Sequence, residues 1–336
     1  MAPENQLPIG AAVESYLEYR STEVTETTLQ SHRYRLDPFV EWCESNGIAE
    51  TTDIQKQHFL QYRRYRREQD GLNITSLHTQ LTTLRVFIKW CVSYGVIDES
   101  MVNAIDVPQL PRGADQRKEM LDADRAEAID TYLTRYRYAH RDHVLWTILY
   151  GVGCRIGGAH SLDLEDFNPD EQRLWFRHRP DRGTTLKNGM EGERPVTLSN
   201  HITDVLNAYI NDVRSPARDK HDRRPLIANN GERPAKSTLR RIVYKWSQPC
   251  QIGAECPHNR EQAECSTAGY TDSPSGCPSI VSPHTIRKLR IVQYRKDEIP
   301  DKYISDRCNV SQQIMEKHYD VRSAEEKQTD RAEYFE

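Results

Sequence analysis

Four short stretches in the second half of the chain carry side chains suited to chemistry on a phosphodiester. Arg155 stands among small residues in Gly151-Val-Gly-Cys-Arg-Ile-Gly-Gly-Ala-His-Ser-Leu162. Small neighbours let the backbone come close, so a bulky polyanion can reach the guanidinium. Lys187 immediately precedes Asn188-Gly189 and is the only lysine between Arg155 and Lys220. At a turn tip it is either an inert solvated lysine or a proton donor within reach of a substrate. In Pro283-His284-Thr-Ile-Arg287-Lys288, His284 and Arg287 are three apart; on a helix such positions share a face. Tyr319, in His318-Tyr319-Asp320, follows 32 residues after Arg287 and is either a packing residue or a nucleophile. Attack on a phosphodiester puts extra negative charge on the non-bridging oxygens, and two guanidiniums can clamp that charge bidentately.

The elements that must position these residues divide into two groups. Over the first 105 residues the pattern is helical. Ile9, Val13, Tyr16 and Leu17 share one face, as do Leu36, Phe39, Val40 and Cys43 ahead of Asn46-Gly47. Asp53 is expected to cap a third helix running to Gly71, and Leu77, Leu81, Leu84, Ile88 and Cys91 form the stripe of a fourth. Residues 107–117 (VPQLPRGADQR) combine Pro, Gly and charge and read as a linker. Beyond it, Asp122 is expected to cap a helix to about Tyr138, and another covers Val144 to Tyr150. Short strands follow at Leu174-Trp175-Phe176 and over Thr184 to Val196, the latter folded about Asn188-Gly189, the strongest short hairpin signal. Helical spacing returns at Ile202–Val213, at Ser237–Trp246, and from Pro283 to the end. The expectation is a mainly α protein with a small antiparallel β-sheet: a helical domain over 1–106, the linker, and a second domain over 118–336.

Composition narrows the partners. The 336 residues hold 46 Lys+Arg against 50 Asp+Glu, a net charge of −4, with a mean hydropathy of −0.80. Binding of nucleic acid by bulk charge is thereby disfavoured, while local basic patches remain open. The densest is Arg63, Arg64, Arg66 and Arg67, interleaved with Tyr62 and Tyr65. It is either a solvated helix face or a phosphate-tracking surface. The Ser/Thr/Gln/His-rich stretch from Thr75 to Lys89 is either an ordinary exposed helix or a face laid along DNA. No apolar run reaches the roughly 18 residues of a membrane span, and the first residues lack the pattern of a signal peptide. The expected location is the cytoplasm. In a reducing compartment, Cys250, Cys256, Cys265 and Cys277, spaced C-x5-C-x8-C-x11-C, suggest metal more than disulfides. Four thiolates suit tetrahedral Zn²⁺, with His258 able to replace one sulfur; the other reading is four reduced structural cysteines.

Taken in order, an arginine, a lysine at a turn, H-x-x-R and a tyrosine in the last 20 residues resemble the tyrosine recombinase (phage integrase) family. The segment G-V-G-C-R-I-G-G-A-H-S-L-D-L-E-D is similar to that family's T-G-L-R-x-x-E-L-x-x-L-x-x-x-D box, and the amino-terminal bundle to its core-binding domain. The cysteine-rich insertion over 250–277 and the ending K-H-Y-D resemble integrases of haloarchaea, whose acidic surfaces match the absence of a basic excess. The resemblance implies site-specific recombination of double-stranded DNA, two domains clamped around a duplex, four protomers acting on two duplexes, accessory DNA-bending proteins as candidate partners, and no membrane.

It also implies roles. Tyr319 is the nucleophile that forms a 3′-phosphotyrosyl link, Arg155 and Arg287 hold the phosphate, Lys187 protonates the leaving 5′ oxygen, and His284 accepts the tyrosine proton or orients the phosphate. No cofactor is needed for this step, and zinc would be structural. Arg63, Arg64, Arg66, Arg67, Lys89 and Lys288 are the candidate DNA contacts. The chain departs from the family pattern in three places. The acid three residues after the first arginine is Gly158, so support for Arg155 must come from elsewhere. The His or Trp nine residues before the tyrosine is Val310, with Asn309 beside it able to donate a hydrogen bond instead. Lys288 stands where His is common. Those departures suit a second reading, a DNA-binding regulator of the same fold that has lost cleavage. A type IB topoisomerase shares the chemistry, and a zinc-stabilised interaction protein is the reading that involves no DNA.

Overall fold

The computed structural model describes residues 6–111, 121–268 and 274–318. The chain divides into two compact units, Met1–Arg117 and Lys118–Glu336. Among the described residues no helix is long and apolar enough to cross a membrane.

The first unit is a four-helix bundle of α1 (Ile9–Ser21), α2 (Glu26–Ser45), α3 (Lys56–Glu68) and α4 (Ile74–Ser93). Its core is the face expected from spacing: Ile9, Val13, Tyr16 and Leu17 of α1 meet Leu36, Phe39 and Cys43 of α2 and Leu77, Leu81, Leu84, Phe87 and Ile88 of α4. Each such side chain contributes on the order of 1.5–3 kcal/mol by leaving water. Asn73 caps α4, its side chain accepting from the Ser76 amide at 2.9 Å. Asp53 does not cap α3. It lies in a 3₁₀ turn (Thr51–Asp53) and accepts from the Glu50 amide at 3.0 Å, while α3 starts at Lys56. The carboxylate reaches back to its own turn, three residues away, before it could reach the later helix.

The second unit is built around α6 (Arg141–Val152), whose residues from Asp142 to Leu149 are all buried. A helix that is apolar on every side belongs in a core. It is packed by α5 (Ala123–Tyr136), α8 (Asn200–Ala208), α9 (Lys236–Trp246) and α10 (Pro283–Lys296). The short α7 (Ile156–Ser161) follows α6. A three-stranded antiparallel sheet in the order β1-β2-β3 flanks this core: β1 is Phe167–Asn168, β2 Arg173–Phe176 and β3 Arg194–Thr197. Leu174 and Phe176 face inward and pair with Val196 and Arg194.

The sheet corrects the expected hairpin. Thr184 to Val196 does not fold on itself. The strand paired with β3 is β2, and Asn188-Gly189 lies inside the long connection between them. Both residues take positive φ, 77° and 59°, so the turn signal was real but closes a loop. Among the described residues the helical tract from Pro283 is three helices, with α11 (Asp301–Cys308) and α12 (Gln312–His318) following α10. Glu298 (φ 57°) and Asn309 (φ 52°) break it, both left-handed. Around these breaks Ile291, Val292, Tyr294, Ile304, Cys308, Val310 and Met315 form a separate small core.

Candidate active site

Arg155 stands where α6 stops and α7 starts. Gly153 ends α6 with φ 74°, and a Cβ there would sit 3.1 Å from the Cys308 sulfur. Only glycine meets both demands, and it brings this turn against the end of α11. Arg155 is the N-cap of α7, and its Nη1 donates to the carbonyl of Asn309 at 2.7 Å.

Arg287 arrives at the same place from α10, which Ser282 caps and Pro283 opens. Its side chain is 1% exposed. Nη1 donates to the carbonyl of Gly153 at 2.8 Å and to that of Cys308, and Nη2 to that of Asn309 at 3.3 Å. The two arginines thus meet on one carbonyl oxygen. His284, one turn ahead on α10, is exposed. Lys288 is half-buried.

Lys187 is exposed in the β2–β3 connection. Its carbonyl accepts from Asn309 Nδ2 at 3.3 Å, and Asn188 Nδ2 donates to Asn309 Oδ1 at 3.1 Å. The left-handed Asn309 therefore serves three of the expected residues, receiving Arg155 and Arg287 on its carbonyl and gripping the Lys187 loop with its amide. The neighbouring Val310 is 4% exposed and belongs to the small core, so Asn309 is the polar residue of this pair. Tyr319 lies outside the described residues.

Two groups that matter here carry weak sequence signals. Arg194 of β3 lies over the Phe176 ring at 4.4 Å and donates from Nε to the carbonyl of Arg307 at 2.8 Å. Its only sequence mark is its place just beyond the lysine loop. Below α7 lies a buried network. Asp166 takes a bidentate bond from Arg179 at 2.6 and 3.0 Å, Asp163 is contacted by Arg179, Arg223 and Arg233, and Asp219 by Arg223 and Arg233 at 2.8 and 3.0 Å. The D-L-E-D run after Leu162 was the available clue, but its three partners are scattered along the chain. Burial pushes Asp219 up, yet the Arg223 and His221 amides and the two guanidiniums outweigh it and bring its pKa to about 2. His160, within the Arg155 segment, is pulled down to about 4 by burial and stays neutral.

Gly158 has Phe176 in place of an acid. A Cβ there would stand 3.2 Å from the ring. In the first unit the basic run is divided by its partners. Arg63 pairs with Asp106, and Arg66 with Asp70 at 2.6 Å and Gln80 at 2.9 Å. Arg67 donates to the Leu72 carbonyl at 2.7 Å, whereas Arg64 and Lys89 are exposed. Cys250, Cys256, Cys265 and Cys277 line one pocket of about 10 Å³ together with His258. Among the described residues no three His, Cys, Asp or Glu side chains are gathered closely enough to hold a metal ion.

Residues 13–95 match the family model described as phage integrase, N-terminal SAM-like domain. The tyrosine recombinase XerC of Escherichia coli O127:H6 is 24% identical over 201 residues, 59% of this chain and 64% of that protein, so the match spans just under two thirds of the relative's length. XerC of Salmonella typhi is 23% identical over 249 residues, covering 74% of this chain and 81% of that one. The structure of the Tn1549 transposon integrase in complex with transposon right-end DNA superimposes with a TM-score of 0.66 at 12% identity, covering 98% of this chain and 100% of that one. The amino-terminal model, the XerC relatives and the shared fold thus all make this chain similar to the tyrosine recombinase (phage integrase) family.

Proposed function

We propose that the protein is a site-specific DNA recombinase, cutting and rejoining strands of double-stranded DNA through a 3′-phosphotyrosyl intermediate. The observation that carries this reading is the meeting of Arg155 and Arg287 on the Asn309 carbonyl, beside the loop that bears Lys187. Backbone carbonyls hold both guanidiniums in place for a phosphate. Tyr319 Oη attacks phosphorus, the bond to the 5′ oxygen breaks, and the phosphodiester becomes a phosphotyrosyl diester. Lys187 gives the leaving oxygen its proton, an ammonium being a far stronger acid than the alcohol formed. His284 takes the tyrosine proton. Because the diester is conserved, a 5′ hydroxyl reverses the step without ATP. The working unit in this reading is four protomers on two duplexes.

The test is an SDS-resistant adduct. Wild type and Tyr319→Phe are incubated with nicked duplexes tiled across the DNA flanking the gene, from low to multimolar salt. An adduct with wild type alone is expected. Binding without an adduct at every salt would replace this reading by the regulator of the same fold, which the phenylalanine-filled space at Gly158 favours.

For the insertion we propose a structural zinc that would require the sulfurs to draw closer together, since among the described residues no three donors are gathered closely enough to hold an ion. The donor set has the right chemistry, four sulfurs around a pocket of about 10 Å³, roughly the space of one small occupant. Elemental analysis of the full chain purified without chelator should find about one zinc per chain, lost in Cys256→Ser. Absence of metal together with four titratable thiols in the insertion would make these cysteines purely structural.

A further inference from the structure

The last three carbonyls of α11 and its cap each receive a guanidinium. Arg307 O accepts from Arg194 Nε at 2.8 Å, Cys308 O from Arg287, and Asn309 O from Arg155 at 2.7 Å and Arg287 at 3.3 Å. Carbonyls at a helix C-terminus lack intrahelical donors and carry the negative end of the helix dipole. Cations are therefore drawn to them. Among the described residues neither Arg194 nor Arg287 has a carboxylate within ion-pair distance.

Arg194 differs from the other two in what it holds. Its Nη1 donates to Gly192 O at 2.9 Å, in the same loop as Lys187. Gly192 lets the loop close tightly, since a Cβ there would come 2.7 Å from Lys187 O and 3.0 Å from Asn309 Nδ2. Its guanidinium is pinned between the Phe176 ring and the end of α11. The loop is thus tied to α11 at two points, by Arg194 at its β3 end and by Asn309 at Lys187 itself.

We propose that Arg194 is a positioning residue for proton delivery, fastening the Lys187 loop to the carbonyl end of α11 so that one helix terminus holds both the lysine and the two phosphate-binding arginines in register. This inference rests on the reading of Lys187 as the acid. Misplacement of a reacting group by about 1 Å can cost on the order of 100-fold in rate. A misplaced acid, unlike a damaged phosphate clamp, should matter only when the leaving group needs a proton.

The experiment compares wild type, Arg194→Ala, Arg194→Lys and Lys187→Ala on two nicked duplexes carrying the site found by adduct formation. One has the normal 5′ bridging oxygen at the scissile phosphate and the other sulfur. A thiolate, whose conjugate thiol has a pKa of about 8.5, leaves without being protonated. Arg194→Ala should slow cleavage of the oxygen substrate by about 10- to 100-fold and return to within a few-fold of wild type on the sulfur substrate, as Lys187→Ala does. Arg194→Lys, which keeps the charge but not the two-pronged bond, should fall between. Equal loss on both substrates would overturn the proposal, since it would mean that Arg194 acts on the fold or the phosphate.

Hydrogen exchange on the DNA-free full chain reads the tether separately. Amides of the 185–193 loop should exchange faster in Arg194→Ala while α6 and α10 are unchanged. Unaltered loop exchange would overturn the tether whatever the kinetics. A wild type that cleaves neither substrate, with a loop that loosens in Arg194→Ala, would instead sink the recombinase reading and leave the tether standing without its role in proton delivery.

Discussion

Asn309 is where conformation and chemistry meet in a single side chain. Its φ of 52° suits asparagine and glycine and strains a β-branched residue. Its carbonyl holds two arginines, while its amide holds the lysine loop. Two substitutions separate these duties. Asn309→Gly keeps the left-handed turn and the carbonyl but loses the amide. Its melting temperature should stay close to wild type while adduct formation slows by about 10-fold or more. Asn309→Val puts a branched residue at positive φ and should cost about 1–3 kcal/mol, visible as a lower melting temperature before any DNA is added. Equal stability of the two variants would show that the backbone at this position is not constrained as described. The same residue shows where sequence reading stops. Arg155, Arg287 and Lys187 are singled out by their order along the chain, each being an ordinary residue by itself. The carbonyls that receive the two arginines belong to Gly153, Cys308 and Asn309, and a carbonyl leaves no mark in a sequence.

At the scale of elements, the site is made from ends rather than bodies: the end of α6, the starts of α7 and α10, the end of α11 and one loop. Helix bodies were legible from apolar spacing, which is why α1, α2, α4, α6 and α9 fall where expected. Ends depend on single residues that compete for local bonds, as with Asp53, or that take positive φ inside a continuous helical pattern, as with Glu298 and Asn309. Strand β1, two residues long, is set by its pairing with β2 and is too short for any periodicity.

Beneath α7 the ends are braced by the Asp163–Asp166–Asp219 network, and this brace titrates. Asp219 has a folded pKa of about 2, below its ordinary value of 3.8. A depressed carboxyl pKa adds stability that is complete above the unfolded value and fades as pH falls from about 4 toward 2. Wild type should therefore lose melting temperature steeply through that window. Asp219→Asn should be less stable at pH 7, because Arg223 and Arg233 lose a charged partner, and its profile from pH 4 to pH 2 should be flatter. Parallel profiles would remove Asp219 from the brace.

For the molecule as a whole, a net charge of −4 means that any grip on DNA must come from a few placed cations. In the first unit the arginine run of α3 is partly spoken for: Arg63 by Asp106 and Arg66 by Asp70 and Gln80, with Arg66 only 15% exposed. Arg64 has no such partner among the described residues and is exposed, as is Lys89 on α4. A sequence run of four arginines is therefore not a face of four phosphate contacts. Each phosphate neutralised lowers the slope of log affinity against log salt by about 0.9. Fluorescence anisotropy with a labelled duplex should show that Arg64→Ala weakens binding and flattens that slope by about 1. Arg66→Ala, whose charge is already countered within the fold, should leave the slope within error of wild type while lowering the melting temperature. Exposed pairs are worth little, at most about 1 kcal/mol, so Arg63 can exchange Asp106 for a phosphate, and Arg63→Ala should change the slope by less than Arg64→Ala. The opposite order, with Arg66→Ala flattening the slope and Arg64→Ala leaving it alone, would mean that DNA breaks the internal pairs on binding and that the unbound surface does not report the contact face.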